Sequence, residues 1–215
     1  MGLLQSDKWL FVHVPKTAGT SISNVLKEKD CVELATHGKL ESQRDLGNRF
    51  VFAFVRNPFE WFGSLYYSHI RQHRKLSIEE FIKTHESWNY FFDTQTSWIK
   101  YNGLLDRINF IGKYENLNKD FKIVCERIDY KDRGLTLENY NTIRDVYPNM
   151  DMYDYYRKRC YTNPKVVEFV REKYKEDFKN FDYGLALWGK GDYWNHRYAR
   201  RYYRFCLYDY KQRRW

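Results

Sequence analysis

The sequence predicts an α/β protein: a parallel sheet flanked by helices on both faces, with a basic, aromatic-rich extension at the C-terminus. Three observations predict it. Short apolar runs alternate with segments of helical period, the pattern of strands joined by crossover helices. The first strand runs through "FVHVPKTAGTSIS" (11–23) directly into a helix, and its glycine-bearing turn has the layout of a phosphate-binding loop, or P-loop. The texture then changes at about Trp188, where the last 28 residues hold eight Lys or Arg, two Asp and ten aromatic residues. Residues 1–187 are accordingly read as one loop-bearing domain and 188–215 as its extension, which carries six of the nine net positive charges.

The elements follow in order. Residues 8–14 (KWLFVHV) predict a buried strand, and Thr20 to Glu28 a helix with Ile22, Val25 and Leu26 on one face. A short strand is expected around Cys31 to Leu34. "RFVFAFV" (49–55) is the strongest strand, and Pro58 opens a helix to about Gln72, since proline suits a first helical position. "SIEE" (77–80) reads as a capping box, the serine and the glutamate each closing a backbone N–H of the other's turn. "RINFIGKYENL" (107–117) predicts a strand passing into a helix that ends near Arg127. Asn163 and Pro164 start a last helix to about Asn180, with Val167, Val170, Tyr174 and Phe178 as its apolar stripe.

Composition narrows the class. A chain of 215 residues that is 43% hydrophobic and 30% charged is globular and large enough for a substantial core. Its net charge of +9 points to polyanionic partners such as nucleotides, nucleic acid or sulfated and uronic glycans. Cys31, Cys125, Cys160 and Cys206 form no C-x-x-C pair, which argues against a zinc ribbon or a dense disulfide scaffold. No stretch approaches the roughly 20 apolar residues of a membrane span, and no leader pattern opens the chain, so a cytoplasmic setting with free thiols is expected. "MGLLQS" matches the loose myristoylation pattern, one short enough to arise by chance.

The loop departs from the usual G-x-x-x-x-G-K-[ST] in one respect. Thr20 and Ser21 follow Gly19, and the only lysine, Lys16, sits inside the turn. Lys16, Thr17, Gly19, Thr20 and Ser21 can all donate to an anion at a helix N-terminus. In a P-loop kinase a lysine stands where this chain has Thr20, and an acidic residue at a strand end helps hold Mg²⁺. Here "FVFAFVRNP" offers Arg56 in that place. Such a site meets negative charge with side-chain cations and without a metal ion. It suits a nucleotide that lacks a β,γ chain but bears a second phosphate elsewhere.

"HVPKTAGTS" together with "FVRNPFEWFGSLYY" resembles the sulfotransferases that use 3′-phosphoadenosine 5′-phosphosulfate (PAPS), and most closely the carbohydrate O-sulfotransferase branch with its heparan and chondroitin enzymes. "IGKYENLNKDF" (111–121) and "REKYKEDFKNFDYG" (171–184) are similar to later landmarks of the family, so the resemblance covers about residues 8–187. It implies that Pro15, Lys16, Thr17, Ala18, Gly19, Thr20 and Ser21 cradle the 5′-phosphosulfate. It likewise implies that Arg56 and Ser64 grip the 3′-phosphate. Many relatives carry a second arginine where this chain has Trp61. The resemblance also places a catalytic histidine in the interval that holds His37, in "ATHGKLES", with Glu33 as the reserve base.

Sulfuryl transfer needs charge neutralisation on the leaving phosphate, an in-line hydroxyl and a base for its proton. Lys16 is the expected catalytic cation and His37 the expected base. His13, inside the first strand, reads as structural; His69 and His73 share a helix face without a third ligand; His85 and His196 have no supporting context. Gln95, Thr96 and Trp98 either line an acceptor pocket or belong to a helix that buries Trp98. Tyr114 and Glu115 are read as structural, tying the fourth strand to its helix. The expected partners are the nucleotide donor and a hydroxyl-bearing acceptor, a glycan rather than nucleic acid. Two other readings stand beside this one: a small-molecule P-loop kinase, and a non-catalytic nucleotide or polyanion binder. The basic tail either contacts an anionic acceptor or packs its aromatics across the domain.

Overall fold

The computed structural model of the chain describes residues 2–27, 31–35, 38–73, 76–87, 93–131, 135, 160 and 163–184. His37 and the extension 188–215 lie outside them. Five strands make one sheet: β1 (Leu3–Gln5), β2 (Trp9–Val12), β3 (Val32–Ala35), β4 (Phe50–Val55) and β5 (Phe110–Lys113), in spatial order β3-β1-β2-β4-β5. The helices are α1 (Gly19–Leu26), α2 (Pro58–His73), α3 (Ile78–Ser87), α4 (Gln95–Ile99), α5 (Leu117–Arg127), α6 (Pro164–Lys173) and α7 (Lys175–Asn180).

The expected parallel sheet is mixed. β2, β4 and β5 run parallel side by side, whereas β1 is antiparallel to both β2 and β3. The cause is a hairpin that the sequence reading passed over: "LLQS" is a strand, and Ser6 turns it. The Ser6 hydroxyl accepts from the N–H groups of Lys8 and Trp9, each at 3.2 Å, while the Ser6 N–H donates to the Trp9 carbonyl at 2.9 Å. β1 is only three residues long, too short to show a period, but it lies inside the sheet with Leu3 and Leu4 buried.

Both faces are covered, as expected. Alternating side chains divide β1, β2, β4 and β5 between two cores, whereas Val32 and Leu34 of β3 are exposed. Phe11, Phe52 and Phe54 pack with Ile22 and Leu26 of α1 and with Phe121 and Val124 of α5. On the opposite face Leu10, Val12, Val51, Ala53 and Val55 meet Trp98 and Ile99 of α4 and Phe181. A third core lies among helices, where Phe59, Trp61, Phe62 and Phe81 meet Val166, Val170, Tyr174 and Phe178.

The capping box at the start of α3 forms as expected. The Ser77 N–H donates to Glu80 at 2.7 Å, and the Glu80 N–H donates to the Ser77 hydroxyl at 3.2 Å. The expected single helix from Pro164 to Asn180 is two. The break falls at Tyr174 (φ −111°, ψ 22°), whose ring is fully buried edge-on against Trp61, with centroids 5.2 Å apart.

Candidate active site

β2 and β4 are adjacent and parallel, with Val12 opposite Ala53, so the segments that follow them leave the sheet at the same edge. This brings the loop 13–19 and the segment Arg56–Asn57 together. Such an edge, beyond the carboxyl ends of parallel strands, is where open α/β sheets bind ligands. β3 also runs parallel to β2, through two antiparallel pairings, and its carboxyl end faces the same edge about 10 Å away, two strand spacings.

The loop is held in an uncommon backbone conformation. Lys16 (φ 64°) and Ala18 (φ 66°) both occupy the left-handed region, which non-glycine residues seldom enter and which recurs at functional sites. The Thr17 side chain fixes the turn from inside, its hydroxyl donating to the Val14 carbonyl at 2.8 Å. That hydroxyl is therefore spent on the loop itself, and Thr17 has no exposed surface. Pro15, Gly19 and Ser21 are buried, while Lys16, Ala18 and Thr20 are half-buried. The bond from the Ile22 N–H to the Ala18 carbonyl, 3.1 Å, starts the ladder of α1. The preceding N–H groups, of Gly19, Thr20 and Ser21, point out of the helix end, since a first turn has no acceptor within the helix. Among the described residues no side chain caps this end, and its first turn holds no acidic residue. The positive end of the helix dipole is thus open to an anion.

Two aromatic residues brace the loop. The His13 ring lies against Gly19 so closely that a Cβ there would fall 1.9 Å from His13 Cδ2. Trp61, the residue at which the sequence departs from the family resemblance, donates from Nε1 to the Pro15 carbonyl at 2.6 Å. In this chain that side chain grips the loop.

Arg56 is held just as firmly. Its backbone N–H donates to Gln95 Oε1 at 2.8 Å, and Gln95 Nε2 donates back to its carbonyl at 2.7 Å. Its guanidinium stacks on the Tyr114 ring, 4.1 Å from the centroid, and Nη2 lies 3.4 Å from Glu60 Oε2. Glu60 and Ser64 are four apart on α2, so they share the helix face that continues from Arg56. Ser64 is buried. Next to Arg56, the Asn57 N–H donates to Glu115 Oε1 at 2.7 Å, and Tyr183 donates to the other oxygen of that carboxylate at 2.7 Å. Tyr114 and Glu115, expected to tie this strand to its own helix, instead join the end of β5 to the start of α2 and to Tyr183, and Tyr114 carries the arginine.

Gln95, Thr96 and Trp98 have no exposed surface, so they line no pocket. Gln95 serves the backbone of Arg56. Sequence reasoning missed this role, and it missed Asp177, whose carboxylate accepts from the Gln95 N–H (2.8 Å), the Thr96 N–H (2.8 Å) and the Thr96 hydroxyl (2.7 Å). Burial pushes the Asp177 carboxyl up to about 6, against the opposing pull of its bonds to Thr96 and Gln95. One signal was there to read: Asp177 lies between Tyr174 and Phe178, on the apolar side of its helix. The reserve base Glu33 is ion-paired with Lys27 at 2.7 Å, and the bond from Lys27 lowers its pKa below the usual carboxylate value.

This is an α/β protein in which a strained strand-to-helix turn and a fixed arginine meet at one sheet edge. A family model described as the sulfotransferase family matches residues 4–184, and the chain belongs to that family. It is therefore a transferase of sulfuryl groups, and nothing supports the kinase alternative. No match was found among curated proteins, and none among solved structures. No helix among the described residues is long and apolar enough to cross a membrane.

Proposed function

We propose that the enzyme moves a sulfuryl group from PAPS to a hydroxyl of a carbohydrate. The observation that supports this reading is that two groups suited to anions follow neighbouring parallel strands to one sheet edge: the start of α1 with Lys16, and Arg56 with Ser64. Two separate sites fit a donor with phosphates at two positions. When bound, PAPS supplies the sulfuryl group and a phosphate leaving group. Lys16, the N–H groups of Gly19, Thr20 and Ser21, and the Thr20 hydroxyl stabilise charge that develops at the 5′ end, a role in which fixed donors act strongly. Arg56 and Ser64 hold the 3′-phosphate. Thr17 contributes shape rather than a hydroxyl. His37 takes the acceptor proton. Glu33 is the poorer candidate, because pairing with Lys27 lowers the basicity of its carboxylate. A glycan acceptor agrees with the chain's +9 charge, which favours sulfated or uronic sugars.

Calorimetry with the desulfated donor, 3′-phosphoadenosine 5′-phosphate, and with AMP tests the reading. The first should bind more tightly, and Arg56→Ala should remove most of the difference, about 1.5–3 kcal/mol for a charge-assisted contact. Equal affinity for the two nucleotides would sink the assignment. His37→Ala should then lower kcat by roughly 10²–10⁴-fold with nucleotide affinity unchanged. Transfer should persist in excess EDTA.

A further inference from the structure

Among the described residues Asp177 is an acidic side chain with no exposed surface, and it closes the N-terminus of a helix of only five residues, α4. Capping alone does not call for a buried carboxylate. Thr94 already caps that turn, its hydroxyl accepting from the Ser97 N–H at 3.1 Å. What Asp177 adds is a grip on Gln95, the residue whose side chain holds both backbone groups of Arg56. Residues 82 and 39 positions apart in sequence become one bonded unit, from α7 through α4 to the end of β4.

We propose that Asp177 and Gln95 form a positioning clamp that sets the aim of Arg56, and through it the preference for a nucleotide bearing a 3′-phosphate. The proposal rests on the reading of Arg56 as the 3′-phosphate ligand. The pair of hydrogen bonds exchanged with the Gln95 amide fixes the Arg56 main chain as a neighbouring strand would, and Tyr114 supports the guanidinium from one side. Neither Asp177 nor Gln95 needs to touch the nucleotide. A planar guanidinium binds phosphate well only in register, so a main chain free to rotate would cost selectivity before it cost stability.

The test compares affinities for 3′-phosphoadenosine 5′-phosphate and AMP, by calorimetry well below the melting temperature, in wild type, Gln95→Leu and Thr96→Val. Gln95→Leu removes the amide and keeps an apolar side chain. It should reduce the preference for the 3′-phosphate by about tenfold or more, the scale of one charge-assisted bond, with AMP binding unchanged. Thr96→Val deletes the hydroxyl's bonds to Asp177 and from Asn180 and leaves Gln95 alone, so it should lower the melting temperature without altering the preference. An unchanged preference in folded Gln95→Leu, or an equal loss in Thr96→Val, would reduce the clamp to a structural cap. No preference in wild type would instead overturn the Arg56 reading, and the clamp with it. Should Gln95→Leu not fold, hydrogen exchange on wild type decides. Coupling is reciprocal, so the 3′-phosphate nucleotide should slow exchange at the Arg56 and Gln95 amides more than AMP does. Equal protection by the two would refute the clamp.

Discussion

Gly19 marks the residue scale of this site. Glycines in phosphate-binding turns are expected for their conformational freedom, yet here the left-handed positions belong to Lys16 and Ala18. Gly19 is required because the His13 ring occupies the volume that a side chain would need. The same contact accounts for His13, which stacks on Phe11 with planes 11° apart and props the loop from below. Gly19→Ala should therefore force the ring and the turn apart, at about 1–3 kcal/mol of stability, the usual cost of overpacking. It should also weaken nucleotide binding, because the N–H groups of α1 move with the turn. Adding His13→Ala opens the space again, so the double variant should recover part of the nucleotide affinity. Thermal unfolding and calorimetry on the two single variants and the double variant measure this coupling directly. Strict additivity would show that the clash is relieved elsewhere.

At the scale of elements, α2 is the beam on which both proposed anion sites rest. Its first turns carry Glu60 to the Arg56 guanidinium, while Trp61, one turn before Ser64, packs into the helical core and reaches Pro15. Trp61→Phe keeps most of the ring volume but strands the Pro15 carbonyl in a buried place. It should cost about 1–3 kcal/mol, the penalty for an unsatisfied buried group, and should loosen the loop enough to raise the Kd for the desulfated donor. A lower melting temperature with unchanged nucleotide affinity would mean that the loop holds its shape without this bond. The sequence made much of this scale legible. β2, β4 and β5 are apolar runs with clear ends, Pro58 and the Ser77 box marked helix starts, and the order of loop, Arg56 and Ser64 identified the candidate site. Other features stayed hidden for physical reasons. The three residues of β1 are too few for a pattern. The break at Tyr174 comes from a ring packed against Trp61, a contact between residues 113 positions apart that no local preference encodes. Gln95 and Asp177 act through tertiary hydrogen bonds, so their spacing in sequence carried no message.

At the scale of the whole molecule, the sheet, α4 and the α6–α7 pair converge on Asp177, and pH should reveal how tightly. A carboxyl with an ordinary value of 3.8 unfolded and about 6 folded binds its proton more readily in the native state. Burial is the main cause, and Glu176 on the same helix adds to it. Between those two values the native state carries more protons than the unfolded chain, so this group makes stability fall as pH rises from about 4 to about 6, and level off above. At 1.36 kcal/mol per pH unit of difference, the change between pH 4.5 and pH 7 is about 2 kcal/mol. Asp177→Asn removes the titration and also turns a donor toward the N–H groups of α4, so its absolute stability says little. The informative quantity is the difference between wild type and variant, measured by urea unfolding at both pH values. That difference should move in favour of wild type by about 2 kcal/mol on acidification. A constant difference would mean that the three hydrogen bonds from Gln95 and Thr96 keep the carboxylate ionised despite its burial.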